Sequence, residues 1–98
     1  MGSINKALVR NHIFIEGKVQ GINFREETKK RADRWGVEGM AKNLLNGQVE
    51  IILEGERAKV LRVADWIGKG PVLAKIKRLD YRWEVYTREF KEKGFQIG

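Results

Sequence analysis

The segment Gly17–Arg25, GKVQGINFR, brings two glycines and an arginine together directly after an apolar run. Gly17 and Gly21 allow the backbone to bend until successive amides point inward, which creates a concavity for an oxyanion. Arg25 adds a planar guanidinium that can hold two phosphate or carboxylate oxygens at once. The residue types alone leave two interpretations open, an anion-binding loop and a glycine-bent turn with an exposed arginine.

Other catalytic groups are scarce in this chain. It has no cysteine and one histidine, His12, which excludes thiolate nucleophiles, disulfides and metal centres built on several Cys or His side chains. We interpret His12 as a solvated strand residue. Ser3 is assigned to a frayed N-terminus, and Thr28 and Thr87 have no histidine partner, so covalent nucleophilic catalysis is not expected. The carboxylates mostly fall on polar faces, and we predict no metal site and no cofactor.

Composition limits the class of protein and the sign of the charge that its partners carry. Twenty Lys and Arg against 13 Asp and Glu give a net charge of +7, which attracts phosphates, nucleic acids or anionic lipid surfaces. No apolar stretch approaches the ~20 residues that span a bilayer, and the N-terminal sequence lacks the apolar core of a signal peptide. We therefore expect a cytoplasmic monomer without a membrane partner. Its 98 residues predict one domain over residues 8–98, preceded by a flexible extension over residues 1–7.

A strand and a helix are predicted on either side of the loop. Alternating apolar residues predict a strand over Leu8–Glu16, which the following glycine ends. Apolar residues at helical spacing predict a helix from Phe24 that ends before Gly36. Asn23 is its expected N-terminal cap, in a capping box with Glu26, and we prefer this role to a substrate contact.

The rest of the chain predicts a hairpin, a helix and a final strand. Strands over Val37–Leu44 and Gln48–Glu54 flank Asn46-Gly47, a strong hairpin signal. Gly94–Ile97 could add a short fifth strand. The second helix carries an apolar stripe made of Val60, Leu61, Ala64 and Ile67. The last strand has an apolar face made of Leu79, Tyr81, Trp83 and Val85. The three tryptophans are interpreted as core residues: Trp35, Trp66 and Trp83.

The order of these elements, βαββαβ, indicates an α+β fold. Its economical packing is the ferredoxin-like α/β sandwich, an antiparallel sheet with two helices on one face. Because this architecture serves RNA binders, metal carriers, regulatory modules and enzymes, the fold alone does not indicate a function.

Two segments of the chain together resemble the signature segments of the acylphosphatase family. The loop matches the family's G-x-V-Q-G-V-x-F-R, with Ile22 in place of valine. The segment Gly39–Gly55, GMAKNLLNGQVEIILEG, is similar to the second signature, with Met40 in place of an aromatic residue. The matching positions in this segment are Gly39, Ala41, Asn43, Gly47, Val49 and Gly55. The similarity continues through GKGPVLAKIKRLDYRWE and ends at KGFQI.

This resemblance implies hydrolysis of acyl phosphates without a metal, a cofactor or a covalent intermediate. It implies that the Arg25 guanidinium binds the phosphate and that the Asn43 side chain positions the attacking water. The substrate is then a small acyl phosphate, and inorganic phosphate is the product and a competitive inhibitor. The family fold has strand order 4-1-3-2, often with a fifth edge strand. The backbone amides implied to cradle the phosphate are those of Lys18, Val19, Gln20, Gly21, Ile22, Asn23, Phe24 and Arg25.

Two other classes of protein remain as alternatives. A basic nucleic-acid-binding module of the same fold should carry aromatic residues in a K/R-G-F/Y-G/A-F-V-x-F/Y segment, and the chain has no such segment, so no nucleic-acid partner is expected. The second alternative is the acylphosphatase-like domain of a larger hydrogenase-maturation or carbamoyl-transfer protein. The sequence stops at Gly98 without a cysteine-rich zinc segment, which favours a free-standing enzyme.

Overall fold

Five strands and two helices make up the structure, a computed structural model that describes residues 6–71 and 73–98. The strands are β1 (Leu8–Lys18), β2 (Glu38–Asn43), β3 (Val49–Glu56), β4 (Lys75–Glu84) and β5 (Phe95–Ile97), and the helices are α1 (Phe24–Trp35) and α2 (Arg57–Lys69). Residues 1–5, most of the predicted flexible extension over residues 1–7, lie outside the described residues. Within the described ranges, no helix combines the length and the apolar character that a bilayer crossing requires.

The strands form one sheet in the order β4-β1-β3-β2-β5. The first four pair antiparallel with one another, and β5 pairs parallel to β2 at the edge. The predicted α+β, ferredoxin-like fold is therefore confirmed, and the strand order is the one that the resemblance implies. The short fifth strand is present and makes the sheet mixed.

The core lies between the sheet and the two helices. Ile13 and Ile15 of β1 lie beside Ile51 and Leu53 of β3 on the face that the helices cover, and all four are fully buried. Burial of each such side chain contributes about 1.5–3 kcal/mol relative to exposure. Asn11 shares this face and is 1% exposed, so the residue that interrupts the apolar alternation of β1 is itself buried.

Several residues predicted to lie on apolar faces are more exposed than expected. In α2, Val63 is buried where Leu61 was predicted, and Leu61 is 38% exposed. On β4, Tyr81 and Trp83 are 42% and 54% exposed, because this strand is at the edge of the sheet and has a neighbouring strand, β1, on one side only. Val85 lies beyond the end of β4 and is 85% exposed.

The other two tryptophans connect the helices. The Arg31 guanidinium of α1 lies 3.9 Å from the centre of the Trp66 ring, and the Arg62 guanidinium of α2 lies 5.0 Å from that of Trp35. Trp66 also packs against the core, whereas Trp35 is 36% exposed. Of the three tryptophans, only Trp66 therefore has the predicted contact with the core.

Gly17 does not end the first strand as predicted. β1 continues to Lys18 because β4 pairs with it beyond the glycine, after a register shift between Glu16 and Gly17. Gly17 has φ of +136°, and a Cβ built there would lie 2.1 Å from the main-chain oxygen of Lys75. The glycine thus permits a close approach of β4 at the point where the loop begins.

The predicted capping box at the start of α1 is wrong. Asn23 has φ of 63° and ψ of 26°, and its side chain makes no capping hydrogen bond. A side-chain cap needs an extended backbone at this position, whereas Asn23 adopts the left-handed conformation that asparagine tolerates. Only its main-chain oxygen contributes, by accepting from the Glu27 N–H at 2.9 Å. The helix ends as predicted, with Gly36 as its C-terminal cap.

The predicted hairpin at Asn46-Gly47 is confirmed. The Leu44 N–H donates to the Gln48 oxygen at 2.8 Å, and the Gly47 N–H donates to the Leu44 oxygen at 3.1 Å. Gly47 has φ of +92°, which a glycine adopts without strain. The Asn46 side-chain oxygen accepts from the Gln48 N–H at 3.0 Å, so the turn is fixed by local hydrogen bonds.

Candidate functional site

The loop between β1 and α1 is held at both ends by buried side chains. Val19 and Phe24 are 1% and 2% exposed and belong to the core. Between them, Gly21 and Asn23 have positive φ angles of 77° and 63°, and both are exposed. Alternation between left-handed and ordinary backbone turns successive amides toward one side of a chain, which is typical of anion-binding nests.

The amides of this loop are available to an external acceptor. In the part of the chain that the structure describes, none of the amides from Val19 to Glu26 donates a hydrogen bond to the protein, and the Glu27 N–H is the first that does. The last of these amides belong to the first turn of α1, where unpaired N–H groups and the helix dipole favour negative charge. The junction of loop and helix can therefore bind an oxyanion.

Arg25 lies in the first turn of α1, where the sequence places it, and is half-buried. Its guanidinium Nη1 donates to the main-chain oxygen of Gly98 at 2.6 Å. The Gly98 N–H in turn donates to the Ala41 oxygen of β2 at 2.8 Å. These two contacts hold the guanidinium beside the final residues of β2.

Asn43 is the last residue of β2 and is exposed. It pairs with Val49 of β3 and lies on the same strand face as Ala41, two positions earlier. Ala41 is also the strand residue to which Gly98 is bound. The structure therefore brings Asn43 and Arg25 to the same end of β2.

Gln20 makes a contact that the sequence did not predict. Its side-chain Nε2 donates to the Leu44 oxygen at 2.9 Å and to the Gln48 oxygen at 2.8 Å. Both acceptors belong to the hairpin that follows Asn43. The resemblance implies a role only for the backbone amide of Gln20, and a side-chain contact between distant segments leaves no local pattern from which it could be predicted.

The beginning of the loop carries like charges in close proximity. Lys18 and Lys75 are directly paired across β1 and β4, and both are exposed. Like charges opposite each other on paired strands are destabilising unless a counter-charge lies nearby. This arrangement raises the positive potential at the beginning of the loop.

His12 is not the solvated residue that the sequence predicts. Its ring lies between two carboxylates, with Nε2 2.6 Å from Glu50 and Nδ1 2.9 Å from Glu84, and its side chain is only 15% exposed. Hydrogen bonds from Arg10 and then from His12 hold the pKa of Glu84 below its usual value. Within residues 6–71 and 73–98, no group of three or more His, Asp or Glu side chains could hold a metal ion.

Comparisons with known proteins agree on one family. The sequence profile of the Acylphosphatase family matches residues 11–97. The chain is 43% identical over 90 residues to an acylphosphatase of Roseiflexus sp., a match that covers 92% of this chain and 95% of that protein. An acylphosphatase of Pyrobaculum calidifontis is 44% identical over 86 residues, with coverage of 87% and 78%. The solved structure of an acylphosphatase from Coxiella burnetii matches with a TM-score of 0.85 at 30% identity, and covers 100% of both chains.

Proposed function

Because the chain belongs to the acylphosphatase family, we propose that it hydrolyses acyl phosphates to a carboxylate and inorganic phosphate in the Gly17–Arg25 loop. The observation that carries this assignment to the loop is the run of amides from Val19 to Glu26 that have no acceptor among the described residues. Arg25, in the helical turn that completes this run, supplies the positive charge that a phosphate requires.

The proposed reaction needs three contributions from the protein. The loop amides from Lys18 to Arg25 hold the oxygens of the phosphoryl group, and the Arg25 guanidinium offsets their charge. The Asn43 carboxamide orients a water molecule toward phosphorus. A bond forms between the water oxygen and phosphorus, and the bond between phosphorus and the carboxylate oxygen breaks. The carboxylate leaves with the electron pair, and the two protons of the water end on the oxygens of the inorganic phosphate, so no further reactant is needed.

An acyl phosphate suits a site with these groups alone. A carboxylate is a good leaving group, so holding the phosphoryl group and orienting water are sufficient, and no nucleophilic side chain is required. Inorganic phosphate carries the same oxygens as the bound phosphoryl group. We therefore expect it to compete with the substrate for the loop amides and for Arg25.

The direct test is hydrolysis of benzoyl phosphate in the presence of a metal chelator. Arg25→Ala and Asn43→Ala should each lower kcat/KM by about 10²-fold or more, the effect of removing one oriented donor. Arg34→Ala, an exposed arginine in the last turn of the same helix, is the matched control and should retain activity.

Each component of the proposal has its own contrary result. No hydrolysis by the unaltered chain would contradict the activity. Full activity in both Arg25→Ala and Asn43→Ala, with circular dichroism showing both folded, would contradict the assigned residues. Loss of activity on addition of chelator would contradict metal independence, and a lack of competition by inorganic phosphate would contradict the phosphate-binding loop.

A further inference from the structure

The Gln20 side chain joins the two halves of the proposed site. We infer that its carboxamide is a positioning residue that fixes the loop amides and Arg25 relative to Asn43 during turnover. The inference rests on the proposed function, since it assigns a role within that reaction. Its basis is the pair of hydrogen bonds from Gln20 Nε2 to the oxygens of Leu44 and Gln48.

The geometry uses the full donor capacity of the amide nitrogen. An NH₂ group carries two hydrogens, and at 2.9 and 2.8 Å each is directed to a different carbonyl. Both carbonyls also accept a bond inside the hairpin, from Gly47 to Leu44 and from Leu44 to Gln48. Because a carbonyl oxygen has two lone pairs, the Gln20 bonds add to the turn without replacing its own bonds.

The two acceptors adjoin the residues that carry the proposed water-positioning group. Leu44 directly follows Asn43, and Gln48 directly precedes Val49, the cross-strand partner of Asn43. The Gln20 side chain therefore binds both sides of the hairpin, at the residues adjacent to the pair of Asn43 and Val49. On the other side, Gln20 lies within the run of loop amides proposed to hold the phosphate.

Neither half of the site depends on Gln20 for its own shape. The loop is anchored in the core by Val19 and Phe24, and the hairpin is closed by the bonds between Leu44 and Gln48. Loss of the Gln20 carboxamide would consequently leave a phosphate-binding loop and an intact hairpin whose separation is no longer fixed. A displacement of about 1 Å between reacting groups can lower a rate about 10²-fold.

The variant that tests this is Gln20→Met, which keeps the length and volume of the side chain and removes both donors. We expect kcat for benzoyl phosphate to fall about tenfold or more, while the inhibition constant of inorganic phosphate stays unchanged. The matched control is Gln96→Met, since Gln96 is exposed and, within residues 6–71 and 73–98, its side chain donates only to the nearby Lys93 oxygen. This control should keep both constants.

A second variant gives a pH-dependent readout. Gln20→Glu places a carboxylate against two carbonyl oxygens, so its kcat near neutral pH should be lower than that of Gln20→Met. As the pH falls and the new carboxyl group is protonated, its O–H can donate to one carbonyl, and part of the lost kcat should return. Gln20→Met has no such group and should show the pH profile of the unaltered chain.

The outcomes separate this inference from the proposed function. If the unaltered chain does not hydrolyse benzoyl phosphate, the proposed function is wrong. If it does and Gln20→Met keeps its kcat, the positioning role is overturned. If Gln20→Met loses phosphate inhibition in parallel with kcat, Gln20 supports the phosphate loop itself, and the positioning role is again overturned. If Gln20→Met does not fold, the absence of any low-pH recovery in a folded Gln20→Glu overturns it.

Discussion

Glu84 is a single carboxylate on which two basic side chains converge. Arg10 Nε donates to its Oε1 at 2.8 Å, and His12 Nδ1 lies 2.9 Å from its Oε2. The hydrogen bond from Arg10 is the main reason that the pKa of Glu84 is lowered, and the bond from His12 is the next. A carboxyl group whose pKa is lower in the folded chain than in the unfolded chain makes stability depend on pH.

The sign of this dependence predicts a loss of stability in acid. An unfolded Glu carboxyl titrates near pH 4.3, so the contribution of Glu84 is fully present above about pH 5 and is lost as the pH falls through its lower folded pKa. Glu84→Gln should therefore be less stable than the unaltered chain above about pH 5, and the difference should shrink toward about pH 3. Urea unfolding of both chains across this pH range measures the difference in their free energies of unfolding.

Asp65→Asn is the control for this pH series. Among the described residues, Asp65 is paired with Lys69 alone, at 3.5 Å, and both side chains are 75% exposed, so its replacement should change the free energy of unfolding little at any pH. A difference between Glu84→Gln and the unaltered chain that stays constant from neutral to acid pH would contradict the role given to Glu84.

Single residues of the candidate site differ in how well the sequence predicted them. Arg25 was located correctly in the first helical turn, because helical spacing from Phe24 onward is a local pattern. Asn23 was assigned a capping role from an equally local pattern, but its left-handed backbone follows from the bend of the loop. The Gln20 side chain was missed because its acceptors lie 24 and 28 positions away in the chain.

At the level of whole elements, the junction of β1 and the loop depends on Gly17. The strand continues past this residue to pair with β4, and the space that a Cβ would take is occupied by the main-chain oxygen of Lys75 at 2.1 Å. A backbone atom cannot move aside as a flexible side chain can. Any larger residue at this position must therefore displace β4 from the beginning of the loop.

Gly17→Ala should consequently destabilise the chain more than an alanine at Gly36, a glycine with positive φ where an added Cβ has space. Gly36, the C-terminal cap of α1, has φ of +68°, and apart from its two chain neighbours no described residue has an atom within 4 Å of a Cβ built there. Gly36→Ala should thus show only the backbone strain, about 1–2 kcal/mol. Urea unfolding of both variants gives the comparison, and an equal loss of stability would contradict the close approach of β4 at Gly17.

The order of elements could be predicted from the sequence because each one has its own local pattern. Helical spacing gave α1 and α2, alternation gave β3, and Asn46-Gly47 gave the hairpin. Exposure of Tyr81 and Trp83 could not be predicted in this way, because it depends on β4 being an edge strand. That position is a property of the assembled sheet, and the alternation within β4 does not report it.

For the molecule as a whole, the excess of positive charge extends to the beginning of the proposed site. The net charge is +7, and Lys18 and Lys75 are paired beside the loop. Acyl phosphates are anions, so this potential should speed their encounter with the loop. The effect acts before the chemical step, and therefore on kcat/KM and not on kcat.

Salt should reveal this contribution. The Debye length falls from about 10 Å at about 0.1 M ionic strength to about 3 Å at about 1 M. Over this range we expect kcat/KM for benzoyl phosphate to fall while kcat stays nearly constant. Lys75→Gln should lower kcat/KM at the lower ionic strength and weaken the dependence of kcat/KM on salt, since Lys75 is the cross-strand partner of Lys18 in the loop.

The control charge for this prediction is Arg57, at the other end of the sheet. The main-chain N–H of Arg57 donates to the main-chain oxygen of Ala7, which directly precedes β1. Lys18 is the last residue of that strand, so the two charges lie at opposite ends of β1. At about 3.3 Å per residue the two ends are roughly 30 Å apart, several Debye lengths at about 0.1 M ionic strength. Arg57→Gln should therefore leave the salt dependence unchanged. If Arg57→Gln and Lys75→Gln lower kcat/KM equally, the attraction comes from net charge alone and not from the charges beside the loop.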